Sequence, residues 1–163
     1  MRRLRTLRRT AEGGFTFIEL IIATSLMMIL ASAALPLARV SVKRQREADL
    51  HYNLRQIRTA IDKYKDAVDR GQISSLNVDP GSQNYPPDLQ TLVDGVQAAN
   101  TMIVMKLKFL RRIPLDPITG KAEWGMRAVG DMKDSKAWGG GNVFDVFSKA
   151  EGSALDGTKY SDW

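Results

Sequence analysis

The residues with chemistry to offer cluster at one junction. The stretch Gly13-Gly14-Phe15-Thr16-Phe17-Ile18-Glu19-Leu20 joins a head carrying Arg2, Arg3, Arg5, Arg8 and Arg9 to an apolar run. From Phe15 to Ala38 the one formal charge is Glu19. Gly14 has no side chain to obstruct a protease or restrict φ, so the backbone there can enter a peptidase cleft in an extended form. A cut after Gly14 would leave Phe15 with a free amine at the start of the apolar run. Burying that ammonium or the Glu19 carboxylate alone is unfavourable, whereas pairing the two offsets much of the penalty.

The element that must position this pair is a helix. Phe15 to Ala38 is 24 residues, which as a helix spans ~36 Å against a hydrocarbon core of ~30 Å. The basic flank before it stays in the cytoplasm while the segment after it is translocated, so the expected orientation is N-terminus in, C-terminus out. A secretory signal peptide shares this outline but has a shorter apolar region ending in a small-x-small site, and Ala31-Ser32-Ala33 and Ser32-Ala33-Ala34 fit that pattern. Glu19 argues against cleavage there. A carboxylate inside a membrane helix costs roughly 2.5 kcal/mol or more and seldom stands without a partner. The competing reading of Glu19 is a charge near enough to the interface to stay hydrated.

Gly14-Phe15-Thr16-Phe17-Ile18-Glu19-Leu20 resembles the class III signal of type IV pilins and type II secretion pseudopilins. In those proteins a prepilin peptidase cuts after the glycine and methylates the new N-terminus. The resemblance implies that Gly14 precedes the cut, that Phe15 becomes an N-methylphenylalanine, and that the amine of one subunit meets Glu19 of its neighbour during assembly. Pro36 falls where many pilins place a helix-bending proline. It removes one backbone hydrogen bond and clashes with the preceding turn, so it should bend or loosen the helix unless it is simply a tolerated membrane proline. Thr24, Ser25 and Ser32 are small residues suited to close helix packing.

Residues 1–14 hold five arginines and one glutamate, so removing them takes the formal charge from +6 to +2. The basic character is mostly leader, which gives little support for nucleic-acid binding. The 163 residues leave room for one membrane helix and one small domain. With no cysteine, an exported domain must be held by its core, its partners or a metal. The domains read as a leader at 1–14, a membrane or filament-core half-helix at 15–38 and a periplasmic globular part at 39–163.

After Ala38 the chain turns polar without a helix stop. Leu50, Leu54, Ile57, Ile61, Tyr64 and Val68 recur at the period of one helical face, and charges fill the other. One helix is therefore expected from about Phe15 to Arg70, ended by Gly71. Gly71 to Pro87 reads as a loop, Asp88 to Ala98 as a short helix, and the apolar Thr101 to Leu110 as helix rather than strand. Three short strands are expected at Ala122 to Val129, at Asn142 to Ser148 and near Lys159, with Gly139-Gly140-Gly141 as a turn between strands. The fold class is α+β, a helix spine covered by a small antiparallel sheet. This is the type IV pilin-like arrangement that the resemblance also implies.

A second resemblance lies in this half. Tyr85-Pro86-Pro87, Leu110-Arg111-Arg112-Ile113-Pro114-Leu115-Asp116-Pro117, Asn142-Val143-Phe144-Asp145-Val146-Phe147-Ser148 and the Gly/Asp-rich ending at Trp163 are similar to the major, G-type pseudopilin of type II secretion. Ile118-Thr119-Gly120 departs from the usual aromatic-Gly-Asn continuation, which marks a divergent branch. The resemblance implies a calcium ion in the C-terminal loop, with Glu151, Asp156, Ser161 and Asp162 supplying side-chain oxygens and Lys149 a backbone carbonyl. Against it, Lys149 and Lys159 dilute the negative charge, and Asp and Ser also cap tight turns. Without calcium, the loop would rely on Leu155, Tyr160 and Trp163.

Enzyme chemistry finds little footing. His51 is the single histidine and lies in the long helix, and there is no Gly-x-Ser-x-Gly, phosphate loop or His-Glu-x-x-His. Trp124 and Trp138 read as core or subunit contacts. The resemblance implies a structural subunit of an inner-membrane and periplasmic filament. Its implied partners are further copies of the chain, other pseudopilins, prepilin peptidase and a membrane platform driven by a cytoplasmic ATPase. The alternatives are a surface type IV pilin and a membrane-anchored enzyme or binding module.

Overall fold

In the computed structural model the apolar period and the membrane-length run fall on one helix, α1 (Phe17–Asp69). Residues 14–74, 76, 78–99 and 105–163 are described, and of residues 33–36 only the helical backbone. Residues 1–13 of the expected leader at 1–14 and residues 101–104 of the expected helix lie outside this set. The chain divides into two compact units, Met1–Ser41 and Val42–Trp163.

In the second unit, Leu50, Leu54, Ile57, Ile61 and Tyr64 are at most 1 % exposed. Each such burial is worth about 1.5–3 kcal/mol, so this stripe is the floor on which everything else is laid. The helix stops where the sequence places glycine. Gly71 takes φ +66°, its N–H donates to Val68 O, and the Gln72 N–H donates to Ala67 O. This pair of bonds is the Schellman closure, which a left-handed residue permits and which satisfies carbonyls the helix itself leaves open.

Among the described residues, four short strands and one more α-helix cover the stripe. Helix α2 (Leu89–Asp94) is capped by Asp88, whose carboxylate accepts from the Thr91 N–H. Strands β1 (Val96–Gln97) and β2 (Lys106–Leu107) pair antiparallel, Val96 opposite Leu107. Strands β3 (Trp124–Arg127) and β4 (Asp145–Ser148) form a second antiparallel pair, Trp124 opposite Ser148. Gly139-Gly140-Gly141 lies in the β3–β4 connection, as expected of a turn, with Gly140 and Gly141 at φ near +80°. The class is α+β, a long N-terminal helix followed by small antiparallel sheets, consistent with the type IV pilin-like fold.

Three expectations change. The apolar segment ending at Leu110 is strand at Lys106–Leu107, not helix. Exposed Lys106 and Lys108 alternate with half-buried Leu107 and Phe109, and that period of two is a strand signature. The helix expected to reach Ala98 ends at Asp94, because Gly95 turns to φ +78° with its Cα against the Leu107 backbone. The terminal strand near Lys159 is reduced to an isolated bridge, Ser153 with Lys159, followed by a 3₁₀ turn at Tyr160–Asp162.

The segments singled out in the C-terminal half meet one another. The Val143 N–H donates to Pro86 O, and Tyr85 packs edge-on to Phe144. Trp124 Nε1 donates to Pro114 O at 3.0 Å. Asp116 is fully buried; its carboxylate accepts from the Ile118 and Thr119 N–H groups and from Ser148 Oγ at 2.6 Å. The Leu115-Asp116-Pro117 turn is thus tied directly to β4.

Candidate processing and assembly site

The first unit is built around the start of α1. Thr16 precedes the first helical residue, and its hydroxyl accepts from the Glu19 N–H at 3.3 Å, satisfying one of the donors that a helix N-terminus leaves open. Thr16-Phe17-Ile18-Glu19 has the Thr-x-x-Glu spacing of a capping box. The sequence reading passed over Thr16, although that spacing was the signal that would have found it. Glu19 therefore stands in the first turn, where a negative charge also favours the positive end of the helix dipole.

Gly14 has open space around it: a methyl group built there would meet nothing within 4 Å. Phe15, the residue that a cut after Gly14 would make terminal, is 81 % exposed. The large apolar side chains from Phe15 to Leu30 are all between 42 % and 81 % exposed. Such a cylinder is unstable in water and requires lipid or protein around it. α1 contains a stretch long and apolar enough to cross a membrane, with a mean hydropathy of 2.2.

Its hydroxyls suit that setting. Thr24 Oγ1 donates to Leu20 O and Ile21 O, Ser25 Oγ to Ile21 O, and Ser32 Oγ to Ile29 O. Polar groups satisfied within their own helix are what a hydrocarbon environment demands. Pro36 lies inside the helical run of α1, and its side chain is outside the described set.

Residues 9–35 match the family model described as the prokaryotic N-terminal methylation motif. The match spans the junction at Gly14, the Thr16–Glu19 turn and most of the apolar helix. The matched segment is a short part of the chain, and with the apolar helix it suggests a type IV pilin-like N-terminus that anchors in a membrane. No curated protein and no solved structure matches the chain.

The five residues suggested for calcium are not gathered into a cage. Lys149, Glu151, Asp156 and Asp162 are exposed and Ser161 is half-buried. The Asp156 carboxylate is taken up by the Thr158 N–H and hydroxyl, at 2.9 and 2.7 Å, which hold its pKa below the usual carboxylate range. Ser161 Oγ donates to Asp162 Oδ1. The recess that holds Glu151 and Ser161, about 370 Å³, is also lined by Lys136, Lys149 and Lys159. Three ammonium groups against one carboxylate are the wrong field for a hard divalent cation, which needs six to eight oxygens. Among the described residues, no three His, Cys, Asp or Glu side chains are grouped to hold a metal. The donor set as arranged does not fit calcium.

The remaining candidates settle into structural places. Trp124 is in the core, and Trp138 is partly exposed with Nε1 donating to Asn142 O. His51 stacks on Trp163 at 3.9 Å between ring centroids. The residue that the sequence reading missed here is Glu47. It continues the core period backward from Leu50 by three positions, and a carboxylate in core phase was the available signal. It is 8 % exposed and accepts from two groups of the C-terminal loop.

Proposed function

We propose that the chain is the major, G-type pseudopilin of a type II secretion system. Prepilin peptidase removes residues 1–14, the Phe15 amine is methylated, and the mature subunit waits in the inner membrane with residues 39–163 on the periplasmic side. The observation that carries this reading is the junction. An unobstructed Gly14 and an exposed Phe15 precede a capped first turn carrying Glu19, on a helix whose apolar faces are uncovered, within a match to the methylation motif.

Assembly replaces the lipid around α1 by neighbouring helices, so apolar burial is exchanged rather than gained. Direction must come from outside, from a cytoplasmic ATPase acting through a membrane platform. Glu19 would receive the Phe15 ammonium of the next subunit, which sets the axial register because neither charge is comfortable alone in a dry interface. Secretion is favoured over a surface pilus by the absence of cysteine together with the Tyr85-Pro86-Pro87, Leu115-Asp116-Pro117 and Asn142-to-Ser148 segments.

Mass spectrometry of the mature N-terminus tests the processing step. Methylated Phe15 is the expected first residue, and a start after Ala33 or Ala34 would overturn the reading. A bulky residue at Gly14 should leave uncut precursor and no filament. Glu19→Leu should accumulate in the membrane without assembling. Deletion of the gene should block protein secretion and leave surface motility intact; the reverse pattern would assign the chain to a type IV pilus.

A further inference from the structure

The C-terminal loop hangs on one carboxylate. Glu47 Oε1 accepts from the Leu155 N–H and from Tyr160 Oη, each at 3.0 Å. One turn earlier on α1, Lys43 Nζ donates to Ser153 O at 2.7 Å and stands 3.9 Å from Glu47 Oε1. One turn later, His51 stacks on Trp163, whose indole N–H donates to Thr158 Oγ1 at 2.7 Å. From the opposite side, the buried Arg127 of β3 donates to Ser161 O. Three successive turns of α1 and one strand thus grip residues 153–163 at five points.

We infer that this loop is closed by a metal-independent staple centred on Glu47, in the place where the resemblance implied calcium. A carboxylate accepting a backbone N–H and a phenol does for the loop what a cation does for a cluster of acidic residues, with the charges reversed. The anion sits on the helix, and the loop supplies donors. The lysines follow from the same logic. A loop that donates to an anion tolerates Lys149 and Lys159 beside it, whereas a loop that wraps a cation does not. The inference concerns the loop alone and stands whether or not the chain assembles into a filament.

The test uses the full chain in detergent with a lysine-specific protease. Cleavage after Lys149 and Lys159 reports loop opening, and cleavage after Lys133 and Lys136 in the β3–β4 connection serves as the internal reference. Glu47→Gln and Tyr160→Phe should each raise the loop-to-reference cleavage ratio, by about tenfold for Glu47→Gln, the factor expected when a hydrogen bond to a buried charge is weakened. Neither a chelator nor added calcium should change the ratio in the wild-type chain. Calcium that slows loop cleavage, a chelator that speeds it, or variants that leave the ratio where it was would overturn the inference. The last of these includes variants that loosen the whole chain evenly.

Discussion

Asp116 is the residue whose loss should be felt most. Its carboxylate is fully buried and satisfied by two backbone N–H groups and the Ser148 hydroxyl. In Asp116→Ala those donors lose their acceptor in a dry place, which costs about 1–3 kcal/mol for each buried group left unsatisfied. We expect the denaturant midpoint of the globular unit to fall by the equivalent of several kcal/mol, with the slope of the transition unchanged. A second test at this scale is titration. Burial, then the Glu47 carboxylate, push Tyr160 up to about 12 from the ordinary tyrosine value of 10.0. A raised pKa means that the stability this group contributes is fully present below pH 10 and is lost as pH rises through about 12. The tyrosinate absorbance of the wild-type chain, less that of Tyr160→Phe, should therefore show its step near 12 and not near 10.

Among the elements, the β1–β2 pair depends on one glycine. Gly95 combines φ +78° with a Cα so near Leu107 that an added methyl would lie 2.7 Å from the Leu107 carbonyl oxygen. Gly95→Ala should destabilise the unit by roughly 1–3 kcal/mol through strain and overpacking, read as a lower thermal midpoint, while Gly120→Ala, with open space around it, should lose only the smaller backbone term. The contrast also shows what sequence could and could not give. α1 was legible because its signals are local: a period of three and four from Leu50 to Val68 and a glycine at 71. The β1–β2 pair was not, because two-residue strands carry almost no periodicity and this pair exists through a close approach across the chain. At the junction, Gly14, Phe15 and Glu19 could be read from residue type and spacing, and Thr16 could have been. Glu47 could be singled out as a carboxylate in core phase, but its role needed its partners, which lie more than a hundred residues away.

At the scale of the molecule, the two units ask opposite things of their surroundings. Among the described residues, the first unit exposes its large apolar side chains from Phe15 to Leu30, while Val42–Trp163 buries its own stripe and ties its loops with polar bonds. Removing the first unit's apolar face should therefore change where the protein resides more than whether it folds. Replacing Ile22 and Leu26 by Asn is expected to release the chain from the membrane fraction with the thermal transition of the globular unit within about a degree of wild type. A transition shifted by many degrees would show that the two units depend on each other for stability, since surface changes away from a unit's own core are ordinarily within about 0.5 kcal/mol.

The Glu47 staple also has a place in time. A chain is made from its N-terminus, and Glu47 precedes Leu155 by 108 residues and Tyr160 by 113. For most of synthesis, α1 carries a carboxylate in core phase with no donors and a stripe from Leu50 to Tyr64 with little to cover it. Leu155 and Tyr160, which complete the staple, emerge after β4, and long separations of this kind delay closure. A chain cut short after β4 therefore lacks both loop donors to Glu47, and its α1 carries that carboxylate without the Leu155 and Tyr160 bonds that close the loop.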